Sequence, residues 1–117
     1  MSLAAVYDSA DYLKPSDGEP IRSVITQTED AITLAWTLAP GQKISPHYHP
    51  DGQEIITILS GAGQLQRDAE GNFANVKAGD VVIANRGEIH GIINNSTEPL
   101  VFIAIQTPAS LGKKNVP

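Results

Sequence analysis

Short apolar runs of β-branched character recur about every ten residues from Ile21 to Gln106, each closed by glycine, proline or asparagine, and no segment holds a helical period. The pattern predicts strands over 21–27, 31–38, 54–59, 64–67, 73–76, 81–84, 89–94 and 100–106. The second of these alternates Ile32, Leu34, Trp36 and Leu38 against smaller residues, so its large side chains face a core and Trp36 lies inside it or at its mouth. Asp68-Ala69-Glu70-Gly71-Asn72 reads as a hairpin loop. So many short strands argue for an all-β sandwich or barrel, and a jelly roll would bury both inner faces while leaving few open edges.

At 117 residues the chain suits one domain. Residues 1–20 are polar and broken by Pro15, Gly18 and Pro20, and read as an N-terminal arm with a short strand or turn near Val6 to Leu13. Residues 21–107 form the barrel, and 108–117 an exposed C-terminal tail. A net charge of -5 leaves no basic footprint for nucleic acid, and none is expected as a partner. With no cysteine, disulfides, thiolate metal sites and thiol nucleophiles are excluded. No apolar run approaches the ~20 residues of a membrane helix. The start lacks the basic, apolar order of a signal peptide, so no membrane role and a cytoplasmic setting are expected.

Against this background all three histidines stand out. His47 and His49 are two apart, which in extended backbone puts both on one face. Glu54 opens the run Ile55-Ile56-Thr57-Ile58-Leu59 and can bring a carboxylate to the same point from another strand. His90 sits in a β pattern and joins them if its face points inward. Tyr48 points the other way and reads as structural. Arg86 reads as a solvated surface charge. Gln106 and Asn94 are candidate hydrogen-bond donors to a pocket or ordinary strand-end residues, and Phe102 shares a strand face with Gln106. Gly61-Ala62-Gly63 is no dinucleotide fingerprint, because Gln66 replaces the third glycine, and Ser60 lacks the glycine of a nucleophile elbow.

Two segments resemble the paired motifs of the cupin superfamily. Gly41, His47, His49, Glu54 and Gly61 fit the first, G-x5-H-x-H-x4-E-x6-G, at every spacing. Gly79, Gly87, His90 and Asn94 fit the second, G-x5-P-x-G-x2-H-x3-N, with Asn85 where the family usually has proline. The resemblance implies a compact single-barrel cupin, a double-stranded β-helix of jelly-roll type. It implies that His47, His49, Glu54 and His90 are metal ligands for a divalent transition metal: Fe, Mn, Ni, Zn, Co or Cu. Three imidazoles and a carboxylate suit such an ion better than calcium or magnesium.

The function so implied is a small metalloenzyme acting on an oxygenated or carboxylated small molecule, by dioxygenase, isomerase or sugar-acid-type chemistry, with Glu54 as a secondary candidate for moving protons. The alternatives are a non-catalytic metal-dependent module that binds or senses a small molecule, and a metal that only staples the barrel. A homodimer is expected by analogy with small cupins, which pair through their sheets, with the arm lying across a neighbour.

Overall fold

The computed structural model of the chain describes residues 2–109 and 112–117; Met1 of the expected arm and Ser110 and Leu111 of the expected tail lie outside them. After a 3-10 turn at Ser9–Tyr12, the strands are β1 (Ser23–Gln27), β2 (Ile32–Leu38), β3 (Lys43–Tyr48), β4 (Gln53–Ser60), β5 (Ala62–Gln66), β6 (Phe73–Lys77), β7 (Val81–Ala84), β8 (His90–Ile93), β9 (Leu100–Thr107) and β10 (Lys114–Asn115). They form two antiparallel five-stranded sheets, ordered β1-β2-β9-β4-β7 and β10-β3-β8-β5-β6. This is the all-β double-stranded β-helix that the sequence predicts. Among the described residues no helix is long and apolar enough to cross a membrane.

The strands exist because alternate residues have a core to enter. In β2, Ile32, Leu34 and Leu38 are buried, and in β4, Ile56 and Ile58 are buried while Ile55 and Thr57 lie on the other face. Leu34, Leu38, Ile58, Leu100 and Phe102 form the centre, closed from the facing sheet by Val76 and Ile92. Trp36 is half-buried against this cluster and stacks on Phe102, with ring centroids 6.3 Å apart. Gly61 makes the turn from β4 to β5 at φ +83°, where a Cβ would fall 2.2 Å from the Pro99 carbonyl oxygen. Both the backbone angle and the space demand glycine there.

Two elements exceed the expectation. Residues 43–48 form β3 despite Pro46, because the proline sits in a bulge where the β3–β8 register shifts between Ile44 and His47. The other is β10, in the segment expected as an exposed tail. Its side chains are exposed, yet its backbone pairs with Tyr48 and His47 of β3. Gly-Lys-Lys-Asn has no alternation to signal a strand, since this pairing draws on backbone groups alone. The arm is tied down by Gln42, whose Nε2 donates to the carbonyl oxygens of Ser16 (2.7 Å) and Gly18 (2.6 Å).

Candidate metal centre

His47 lies near the end of β3, and His49 follows just past it. His90 opens β8 directly opposite His47, and Glu54 stands near the start of β4 in the other sheet. The two sheets thus deliver three imidazoles and one carboxylate to one end of the barrel. All four side chains are buried, and one ligand atom from each lies within 4.8 Å of the others. Gly91 lets the histidine strands approach, since a Cβ there would meet the Pro46 backbone nitrogen at 2.9 Å.

Each histidine is oriented by a carbonyl. Nδ1 of His47 bonds the Ser45 oxygen at 2.8 Å, that of His49 the Gly112 oxygen at 2.6 Å, and that of His90 the Glu88 oxygen at 3.1 Å. A carbonyl only accepts, so each Nδ1 bears a proton and leaves Nε2 as the ring atom available to a metal. This is the outer-shell arrangement that prepares imidazoles for a metal. The His49 Nε2 is buried without a hydrogen-bond partner, because Glu54 Oε1 at 3.6 Å is within ion-pair range but too far for a hydrogen bond. The His90 Nε2 lies 2.6 Å from the same oxygen, a bond that needs a second proton on that ring. A shared cation would satisfy both contacts with neutral rings, so the residues present fit a metal.

The electrostatics of the metal-free cluster divide its histidines. Burial holds the His47 imidazole down to about 4, against a weaker opposing effect of the Ser45 carbonyl, so it is neutral at pH 7. Burial also pulls His49 down, but the Glu54 carboxylate and the Gly112 carbonyl together outweigh it and raise the group. For Glu54 burial pushes upward, and His49, His90 and Gln106 together hold the carboxyl well below the usual range. Gln106 Nε2 donates to Glu54 Oε2 at 2.8 Å from β9, where the two residues are cross-strand partners. Oε1 is left to the histidines.

A cavity of about 100 Å³ opens over the four residues, walled by Trp36, Ile44, Ile56, Leu65 and Phe102. Phe102 and Gln106 therefore both face inward. Asn94 has the strand-end role: buried, it donates from Nδ2 to the Leu38 and Glu98 carbonyl oxygens, each at 2.8 Å. Arg86 is exposed, and Tyr48 is not part of the cavity wall. The sequence reading missed Arg22 and Lys113, which also line the cavity. Neither sits in a motif, and only the folding of both chain ends toward β2 and β3 brings them there.

Known proteins of this kind are easily found. A crystal structure from Klebsiella pneumoniae, described as an uncharacterized conserved protein with a double-stranded beta-helix domain, superposes with a TM-score of 0.93 at 36% identity, covering 98% of this chain and 99% of that one. The oxalate-binding protein of Thermotoga maritima is 37% identical over 58% of this chain and 54% of its own length. The pectin degradation protein KdgF of Dickeya dadantii is 29% identical over 62% of this chain and 64% of its own. The matched region thus spans between half and two thirds of these two relatives. The cupin domain profile matches residues 34–106, the stretch that holds both motifs and all four buried ligand candidates, and the chain belongs to the cupin family.

Proposed function

We propose that this chain binds a divalent transition metal through His47, His49, Glu54 and His90 and is a small metalloenzyme acting on an oxygenated or carboxylated small molecule. The observation that supports it is the set of three buried imidazoles whose Nδ1 atoms are all committed to carbonyls while their Nε2 atoms converge beside one carboxylate. Iron, manganese, nickel, zinc, cobalt or copper would supply Lewis acidity to ligand oxygens there. The chain's own residues do the rest. Gln106 fixes the Glu54 carboxylate, and Trp36 and Phe102 give the ligand an apolar wall and keep water from it. Glu54 could move a proton only while Oε1 is free of the metal, so that role is secondary. The name of the oxalate-binding relative, whose ligand is a small dicarboxylate, supports the carboxylate class.

That same name favours the alternative, a module that binds its small molecule without turnover. Elemental analysis of anaerobically purified protein decides first. Absence of bound metal, with no thermal stabilisation by added Fe, Mn, Ni or Zn, removes both readings. Oxygen uptake by Fe(II)-loaded protein with oxygenated test acids then separates dioxygenation from isomerase or sugar-acid chemistry. Binding with no turnover of any kind leaves the module.

We further propose a homodimer. The outer face and edge of the β1-β2-β9-β4-β7 sheet present Leu59, Val81, Ile83 and Ile105 to solvent, with Val81 59% exposed. The arm's Leu3 and Val6 are 84% and 98% exposed and find no cover on their own barrel. A twofold pair laying each arm on the other's sheet face would cover both sets. Sedimentation of wild type at the mass of two chains, with Ile83→Lys shifted to one, is the expected outcome; a monomeric wild type overturns it.

A further inference from the structure

We infer that Arg22 and Lys113 form an anion clamp at the mouth of the metal cavity, selecting a small carboxylic acid whose far end reaches the histidine cluster. The far end rests on the metal reading above; the clamp rests on its own observations.

Arg22 immediately precedes β1, and Lys113 immediately precedes β10, so the two cations come from opposite ends of the chain and from different sheets. Both line the same cavity. Lys113, Trp36 and Ile44 also line a shallower depression beside it, together with Lys43 and Glu19, which makes that depression the approach to the cavity. Three of the chain's eight Lys and Arg residues are therefore gathered at this entrance, although the net charge is -5. Apart from Glu54 at the floor, Glu19 is the only acid among the described residues that line either space.

Neither Arg22 nor Lys113 has an ion-pair partner among the described residues, where the pairs are His49–Glu54, His90–Glu54 and Lys77–Asp80. Their charges are thus available to a ligand. Arg22 can grip a carboxylate with two parallel N–H donors, and Lys113 adds a point charge. Lys113 is held there by its neighbours: Gly112 accepts from His49 Nδ1, and Lys114 pairs with Tyr48.

Size sets the rest of the class. A dry cavity of about 150 Å³ takes a benzene. The cavity here, about 100 Å³, suits a body of about four heavy atoms, with a carboxylate left in the mouth. A three- or four-carbon dicarboxylate meets both ends.

The test is a calorimetric titration of malonate, and of neutral malonamide of the same shape, into Zn(II)-loaded wild type, Arg22→Gln, Lys113→Gln and the double variant. Lys14→Gln, on the exposed arm, controls for net charge. Metal content is measured on every sample. The expected result is malonate binding without malonamide binding, weakened about tenfold by each single substitution and more by the double, at unchanged metal stoichiometry and unaffected by Lys14→Gln. Wild-type affinity in the double variant, or equal binding of malonamide, overturns the clamp and leaves two solvated surface cations. If wild type binds no zinc, the titration is repeated with Mn(II), Ni(II) and Fe(II), and the metal reading fails separately only when none of them binds. The clamp is then judged on metal-free protein: malonate raising the thermal midpoint of wild type but not of the double variant upholds it, and no difference between them overturns it.

Discussion

Glu54 shows how one residue can be divided between two tasks. Its Oε1 faces the histidines, while Oε2 is occupied by the Gln106 amide. Gln106→Ala removes the brace but no ligand atom. Metal affinity should fall about 10-fold to 100-fold, read by competition with a chromophoric chelator, and Gln106→Asn, one methylene short, should not restore it. His47 predicts a pH dependence in metal-free protein. Its folded value of about 4 lies below 6.5, so between those values the unfolded chain takes up a proton that the folded chain refuses. Stability from His47 is present above about 6.5 and declines as pH falls toward 4. The raised His49 has the opposite sign, with stability full below 6.5 and lost as pH rises through its folded value, so it adds no slope in the lower window. Urea midpoints should therefore drop from pH 7 to 4.5, and His47→Gln should flatten that drop. The four ligand candidates were legible because their spacing encodes a shared face. Gln106 was visible only as a candidate, since its partner is 52 residues away, and Arg22 and Lys113 were silent.

Elements place these residues through close backbone contacts. At the β3–β8 crossing, Gly91 lies under the bulge at Pro46, and a Cβ there would also meet the Ile44 carbonyl oxygen at 3.1 Å. Gly91→Ala must push the strands apart, at a cost of about 1–3 kcal/mol, and separates His47 from His90. Lower stability in denaturant and weaker metal binding should appear together. The turn before β8 presents the opposite problem. Asn85, where the family usually has proline, uses the N–H that proline lacks: it donates to the Glu88 carboxylate at 2.7 Å, while its carbonyl accepts from the Glu88 N–H at 2.9 Å. Gly87 N–H then reaches the His49 carbonyl at 2.9 Å, linking this turn to the other motif. Asn85→Pro stiffens the unfolded chain but deletes a charge-assisted bond, and a net loss of about 1 kcal/mol is expected. A gain in denaturant midpoint would contradict it. The motifs marked Gly41, Gly61, Gly79 and Gly87 in the sequence but not Gly91; the bulge that requires it arises only when β3 and β8 meet.

For the molecule as a whole, the cluster joins two sheets that otherwise meet mainly through apolar packing, with the Asn94–Leu38 hydrogen bond beside it. His47, His49 and His90 belong with the β3–β8 side, Glu54 and Gln106 with the β4–β9 side. A metal held by both sides binds the folded chain and not the unfolded one, so it stabilises by mass action. At a free metal concentration about 1,000 times Kd this amounts to about 4 kcal/mol. In a domain of 117 residues, that corresponds to a rise in Tm of about 15 °C. The staple should depend on both sheets. His47→Ala or His90→Ala removes a proposed ligand from one side, and Glu54→Ala removes the sole proposed ligand of the other. Each should abolish the metal-dependent rise in differential scanning calorimetry. Glu54→Ala also leaves three neutral imidazoles with no carboxylate to offset the ion's charge, so it should lose the rise even at metal concentrations that partly rescue His47→Ala. A rise that survives in Glu54→Ala at full size would mean that the β3–β8 side holds the metal alone, and that the two sheets are not joined through it.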